Sequence, residues 1–509
     1  MHLSLTLSAI ASALVLACTT QVEANVSAGY LLLNPTTGPA KLKALADNAA
    51  NIPINRLFIS FARPGMVYVP DSHTLKHVGL NYDNTSEDYG FADLKAKVKQ
   101  LQDNGVEVFL SVGGWDYGCF PYLYTYYSVG GYGENTPNYY KIAKYGNIQG
   151  CTEGNQWCYT CEPEEQETTL ASFDIFPEPN SPTWQQATEY VREHAGAERP
   201  VFHPEMVPGR WWYDPRGGYN VTIPGSDYFV TQNRDPYQDL VYLGKDLGLA
   251  GVDIDYEEMW HADYFKALKG PNVAGPFTSH QTVYKYAAIM RDVQINILTI
   301  HKTLKLGTAS AAVGALATDW WGGNLKNVWY NFFTWYPEVY NFAAKGPNAG
   351  GVNVMTYDLS SNMTYYECPD GQASCPLNKQ VSYYMKSYAD AGMTAHVGYE
   401  IGTPAYPAKD HDPKSQLPLT KDEFPIILNE LGSTGGFFWE LYKKPDDDNN
   451  VSAEYVAQEV CKKALGANEP RCSGSIPDPA KSYPTWVDEL QQQLPFSLRR
   501  FQWRNKNRV

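Results

Sequence analysis

The stretch Gly251-Val252-Asp253-Ile254-Asp255-Tyr256-Glu257 places an acid at every second position, with apolar or aromatic residues between. In an extended chain alternate side chains face opposite ways. Asp253, Asp255 and Glu257 therefore share one face, and Val252, Ile254 and Tyr256 share the other. Three carboxylates stacked away from water raise one another's proton affinity, because each new charge is placed against its neighbours. Such a strand is costly as scaffold alone. It points to a site that holds a proton or a hard, oxygen-ligated cation. An acidic edge strand on a solvated sheet is the alternative. The stretch contains no histidine or cysteine, so no soft metal is expected, and the reading requires no cofactor.

Short apolar runs recur on both sides of this stretch, at Val26–Leu33, Arg56–Phe61, Glu107–Val112, Gly251–Tyr256, Lys305–Ser310, Gly351–Tyr357, Thr394–Tyr399 and Gly435–Leu441. Several are continuously hydrophobic, as in parallel strands covered on both faces. Helix-like segments lie between them. In Phe91–Gln102, residues Phe91, Leu94, Val98 and Leu101 fall at helical spacing and Asn104-Gly105 closes the segment. Asp235–Leu247, Tyr284–Leu298 and Val381–Ala391 repeat the pattern. The alternation predicts an α/β chain folded as a (β/α)8 TIM barrel, with a doubly wound open sheet as the alternative. In the barrel the acidic face looks inward.

The interval between the third and fourth strands breaks the rhythm. Residues 117–232 are rich in Tyr, Gly and Pro and contain Cys119, Cys151, Cys158 and Cys161. A structureless loop of that size is unusual. The reading is a large disulfide-containing insertion after strand 3, on the face of the barrel where the strands end. Its Trp211 and Trp212 suit either a small core of its own or a sugar track. The barrel is expected to span 25–465 and a polar tail 466–509.

The run from His2 to Ala17 is apolar, uncharged but for His2, and too short to span a membrane. Val22-Glu23-Ala24 offers small residues at the spacing of a cleavage site. Residues 1–24 are therefore expected to be a signal peptide and the mature secreted chain to begin at Asn25. Cys18 in a lipoprotein box is the other reading. Either leaves eight cysteines, an even number that suits disulfides. Cys368 with Cys375 and Cys461 with Cys472 are close enough in sequence for local bridges. Sequons at Asn25, Asn84, Asn220, Asn362 and Asn450 would matter in a glycosylating host.

The 509 residues carry 40 Lys and Arg against 55 Asp and Glu, a formal charge of −15. That balance argues against a chain that tracks phosphates or anionic membranes. Hydrophobic residues at 43% and charged ones at 19% suit a large globular core. The 38 Tyr and 13 Trp are compatible with sugar platforms but equally with packing.

Five motifs, in order along the chain, carry a resemblance. They are Gly29-Tyr30 on strand 1, Ser111-Val112-Gly113-Gly114 on strand 3, Asp253-Ile254-Asp255-Tyr256-Glu257 on strand 4, Met355-Thr356-Tyr357-Asp358 on strand 6 and Trp439 on strand 8. Together the sequence resembles the family-18 glycoside hydrolases, the chitinase family. It departs from the family's pattern at Ala250, where the outermost acid of the strand-4 motif would stand. The resemblance implies secreted hydrolysis of β-1,4-linked N-acetylglucosamine polymers such as chitin, by a retaining mechanism in which the substrate's own acetamido group attacks. It implies Glu257 as the acid, Asp255 as the group that orients the acetamido N–H, Asp253 as its proton partner, and Tyr357 as holder of the acetamido oxygen. Substrate contact is implied for Trp439, Asp358, Met355, Tyr30, Ser111, Gly114 and Trp115. Met355 and the glycines are also explicable as packing and turn residues. Glu258 and Glu440 read as surface or supporting acids. Only about 35 residues separate strand 7 from strand 8, too few for the α+β wall many chitin-degrading members carry there. An endo-β-N-acetylglucosaminidase acting on N-glycans, a chitin-binding lectin and a toxin-complex subunit are the other functions this barrel suggests.

Overall fold

A computed structural model describes residues 25–34, 37–62, 66, 68–76, 78–80, 90–114, 221–222, 229–230, 236–256, 289–311, 337–359, 377–407, 416–430, 435–445 and 447–479. Eight parallel strands close into a barrel: β1 Val26–Leu32, β2 Arg56–Ala62, β3 Glu107–Gly113, β4 Gly251–Asp255, β5 Lys305–Ala311, β6 Ala349–Met355, β7 Ala395–Glu400 and β8 Gly435–Trp439. Each pairs with its neighbours in sequence order, and β8 closes on β1 with Val26 opposite Gly435. The helices are α1 Gly38–Asp47, α2 Phe91–Asp103, α3 Pro236–Leu247, α4 at 289–300, α5 Pro337–Ala344, α6 Leu377–Asp390, α7 Glu423–Glu430 and α8 Ala453–Leu465. The (β/α)8 barrel expected from the sequence is the observed fold, and every expected strand lies within two residues of an observed one.

Residue parity explains the layers. Leu57, Ile59, Val108, Leu110, Val252, Ile254, Leu306, Val352 and Val354 point outward and join the helices in the main core. On α2, Phe91, Leu94, Val98 and Leu101 are buried in that core at helical spacing. Inside the barrel Val26, Ala28, Tyr30, Phe58, Phe109 and Phe437 form a second cluster. Large and small residues interdigitate there. A side chain at Gly251 would place its Cβ 2.2 Å from the Phe109 ring, so β4 opens on glycine because Phe109 already fills that layer.

The floor of the barrel is ionic. Arg56, 4% exposed, donates to Glu107 Oε2 at 2.7 Å through Nη2 and to the Gly350 carbonyl at 2.7 Å, and its guanidinium lies 4.5 Å from the centre of the Phe109 ring. Lys305 pairs with the other oxygen of Glu107. Burial pushes the Glu107 carboxyl up, but Arg56 and Lys305 together hold it below the usual range.

Residues 466–479, expected as the start of a polar tail, dock on the barrel. The Cys461–Cys472 disulfide ties Pro470–Ser473 back to α8. Arg471 donates to the carbonyls of Ile54 and Asn104, each at 2.9 Å, just ahead of β2 and β3. Cys472 is fully buried. The segment therefore straps the N-terminal end of the barrel, a role its polar composition conceals. Within 117–232 two short strands, Val221–Thr222 and Phe229–Val230, pair antiparallel. The rest of that interval, residues 1–24, the Cys368/Cys375 pair and residues 480–509 lie outside the described residues. So do the sequons at Asn84, Asn220 and Asn362. The Asn25 amide donates to the Ala464 carbonyl at 2.8 Å, and Asn450 is 9% exposed. Among the described residues no helix is long and apolar enough to cross a membrane.

Candidate active site at the mouth of the barrel

Barrel strands present their C-terminal ends on one face, the usual position for chemistry in this fold. Asp253 and Asp255 lie at that end of β4 and face inward, 0% and 5% exposed. Tyr30, from across the lumen on β1, donates its hydroxyl hydrogen to Asp253 Oδ2 at 3.0 Å. Ser111, in register with Asp253 on β3, donates to the same oxygen at 2.7 Å. Asp253 Oδ1 is buried with no hydrogen-bond partner among the described residues. Burial pushes the Asp253 carboxyl up to about 6, against the hydrogen bonds from Ser111 and Tyr30 and the charge of Arg56, which pull it down. Burial, then the nearby Asp253 and Asp255, hold Tyr30 well above its ordinary value, so it remains a donor. Tyr30, Ser111 and Asp253 thus form one hydrogen-bonded set, and Asp255 follows two residues on along β4.

Aromatic rings wall the site. Tyr30 stacks on Phe58 at 4.5 Å and meets the edges of Phe437 at 5.6 Å and Trp439 at 5.9 Å. Phe61 stacks on Trp439 at 5.5 Å. The Trp439 Nε1–H is buried without a hydrogen-bond acceptor among the described residues. Met355 and Tyr357 pack against the same inner cluster, each partly exposed. The Tyr357 ring meets Phe437 edge-on at 6.3 Å. It lies 2.9 Å from where a Cβ at Gly398 would stand, so that glycine leaves its seat open. Asp358, partly exposed, turns the chain with φ +57°. Gly114 is a turn residue at φ +77°. Its N–H donates to the Asp255 carbonyl at 2.9 Å, and a Cβ there would stand 2.6 Å from the Phe61 ring. Glu257, the next residue of inward parity after Asp255, and Trp115 lie outside the described residues.

Four buried polar groups complete this region without announcing themselves in the motifs. Asn353 on β6 donates through Nδ2 to the Tyr30 hydroxyl oxygen at 2.9 Å, and His396 Nδ1 on β7 is 2.9 Å from Asn353 Oδ1. Glu400, fully buried at the end of β7, pairs with Lys443 at 2.8 Å. Glu440 is no surface acid: it is 7% exposed, with Lys41 3.9 Å away. The signal for Asn353 and His396 is a polar residue at inward parity in an otherwise apolar strand.

A metal-binding geometry occurs elsewhere. Asp71, His73 and Asp246 offer ligand atoms within 4.8 Å of one another. Asp246 is next to last in α3, so the group sits on the outside of the barrel toward its floor. Tyr68 already donates to Asp246 at 2.6 Å.

No family model and no curated protein matches this chain. Solved structures do. A chitinase from Bacteroides thetaiotaomicron is similar at 11% identity over 87% of this chain and 97% of that one, with a TM-score of 0.34. The Legionella pneumophila ChiA C-terminal domain is similar at 12% identity over 87% and 98%, with a TM-score of 0.35. Human YKL-39, a pseudo-chitinase with retained chitooligosaccharide binding, is similar at 10% identity over 87% and 100%, with a TM-score of 0.35. Likeness at this level bears on neither substrate nor chemistry. The barrel stands on its own closed strand order.

Proposed function

We propose that the chain is a secreted glycoside hydrolase that cleaves β-1,4-linked N-acetylglucosamine polymers with retention, using the substrate's acetamido group as nucleophile. The observation that carries the reading is the inward pair Asp253 and Asp255, the deeper one gripped by Tyr30 and Ser111, beneath an aromatic wall that contains Trp439. A buried acid on the point of protonation at mild pH is what proton sharing between neighbouring carboxylates requires.

In this reading Glu257 protonates the glycosidic oxygen. Asp255 orients the acetamido N–H and balances the charge of the oxazolinium ion as the acetamido oxygen closes on C1. Tyr357 holds that oxygen in line, and such positioning supplies several kcal/mol of the barrier. Asp253 accepts or returns a proton as the charge on Asp255 changes. Water then attacks C1 from the face the leaving group vacated, opposite the oxazolinium oxygen, and gives its proton to Glu257. The C1–acetamido bond breaks, the acid is restored and the product keeps its β configuration. The N-terminal apolar run and the Cys461–Cys472 bridge support export to an oxidising compartment.

The test is turnover of chitohexaose beside an N-glycosylated protein, by the intact chain and by Glu257→Gln. Short chito-oligosaccharides from the first protein are expected. The variant should bind the sugar and lose at least about 100-fold in kcat, the usual scale for a lost acid. Release of intact N-glycans without chito-oligosaccharides would make it an endo-β-N-acetylglucosaminidase. Binding without turnover in either protein would make it a lectin.

A further inference from the structure

Four buried side chains, from three strands around the lumen and Asp253 on β4, touch end to end: His396, Asn353, Tyr30 and Asp253. None is more than 2% exposed. With the Asn353 amide set so that Nδ2 meets Tyr30 and Oδ1 meets His396, the direction of every bond follows. An amide nitrogen only donates and an amide oxygen only accepts. Asn353 Nδ2 thus places a hydrogen on the Tyr30 oxygen, and the single phenolic hydrogen is left for Asp253. Asn353 Oδ1 faces His396 Nδ1, so the imidazole carries its hydrogen on Nδ1. Its charge state agrees, since burial first, and then Arg56 and Lys305, hold His396 down to about 3 and keep it neutral.

The barrel keeps room for this chain. A Cβ at Gly351 would stand 2.6 Å from His396 Cε1, and one at Gly307 would stand 3.3 Å from Asp253 Oδ1. With Tyr30 and Ser111 both donating to Oδ2, that oxygen is saturated, while Oδ1 has no partner among the described residues. An apolar side chain at 353 would fill the same space without the cost of desolvating an amide.

We propose that Asn353 and His396 are positioning residues, a one-way donor chain that commits the Tyr30 hydrogen to Asp253 Oδ2 and confines proton exchange of Asp253 to Oδ1. The catalytic consequence rests on the glycosidase reading; the chain itself does not. Among the ionisable groups turned toward this chain, Tyr30 on β1 and Arg56 on β2 act on Asp253, Asp255 on β4 and Tyr357 after β6 act on Tyr30, and Arg56 and Lys305 on β5, both paired with Glu107 on β3, act on His396. β8 contributes Phe437 and Trp439, which do not titrate.

The experiment follows imidazole ¹⁵N and aspartate carboxyl ¹³C resonances of the full chain, assigned with His396→Gln and Asp253→Asn, alongside the pH profile of chitohexaose hydrolysis. In the unmodified protein His396 is expected as the neutral Nδ1–H tautomer from pH 5 to 8. In Asn353→Asp the new carboxylate competes for the Tyr30 hydrogen. Asp253 is then expected to protonate roughly one pH unit higher, tenfold in proton affinity, and the acid limb of kcat to move with it while KM holds. An Nε2–H tautomer at His396 in the unmodified protein would reverse the Asn353 amide and overturn the proposal, whether or not the variant folds. A folded Asn353→Asp that loses thermal stability but moves neither the Asp253 titration nor the acid limb would overturn it too. Absence of turnover by the unmodified protein would count against the glycosidase reading alone, because both resonances still report on the chain.

Discussion

Asp253 is held at a price in stability. Its carboxyl is pushed up to about 6 from 3.8 by burial, so between those values the folded chain binds more protons than the unfolded one. Stability from this group therefore falls as pH rises through that window. The displacement is worth on the order of 3 kcal/mol at neutral pH. Asp253→Asn removes the charge and keeps an oxygen for Tyr30 and Ser111. The variant is expected to be more stable than the parent at pH 7, by on the order of 1–3 kcal/mol, and close to it at pH 4. Chitohexaose turnover should fall at both. Urea unfolding at the two pH values checks the first statement. Equal stability at pH 7 would mean that Asp253 carries no buried charge.

At the scale of elements, strand parity made much of the site legible. The period of two in β4 assigns Asp253 and Asp255 to the lumen, and the Ser-x-Gly-Gly stretch puts Ser111 beside them. Parity does not say which residues meet across the barrel. The contacts from β1 to β4, and from β7 through β6 to β1, depend on the shear of the closed sheet, which no local pattern encodes. Asn353 and His396 escaped the reading for that reason. Short helices escaped it too. α5 and α7 have 8 residues each, about two turns, too few for a period to stand out. α8 carries its own signals. Ser452 caps it by accepting from the Tyr455 N–H, Glu454 lies in its first turn, and Lys462 and Lys463 lie in its last. Ser452→Ala is expected to cost about 1 kcal/mol. Cys472→Ser frees the strap 11 residues from its anchor and should cost about 3 kcal/mol by loop entropy. Thermal melts distinguish the two by size. A silent Cys472→Ser would mean that the hydrogen bonds of Arg471, Gly474 and Ile476 hold the strap without the bridge.

For the whole molecule two buried groups pull the pH dependence in opposite directions. His396 is held down to about 3 from 6.5, so the unfolded chain binds more protons across that window and stability rises with pH. Asp253 works the other way between 3.8 and about 6. Between pH 7 and pH 4 each is worth on the order of 3 kcal/mol, so the histidine effect is largely offset. Glu107, held below its usual range by Arg56 and Lys305 despite burial, adds to it, because its contribution is lost as pH falls through the carboxylate range. The protein is expected to melt lower at pH 4 than at pH 7. His396→Gln keeps a donor for Asn353 and should flatten that difference. A variant as acid-labile as the parent would place the sensitivity elsewhere. The barrel as a whole was readable because eight buried strands show as apolar runs. The ionic floor was not, since Arg56, Glu107 and Lys305 each open a strand and look like ordinary surface charges until the sheet closes around them.

The most direct test of the chemistry is the anomeric form of the first product, followed by ¹H NMR within the first minutes of chitohexaose cleavage. Attack by the substrate's acetamido oxygen on one face of C1, followed by water entering from the opposite face, requires the β-anomer to appear first, with the α-anomer growing only by mutarotation. A burst of α-anomer would mean direct displacement by water, and no role would remain for Asp255 and Tyr357 as holders of the acetamido group.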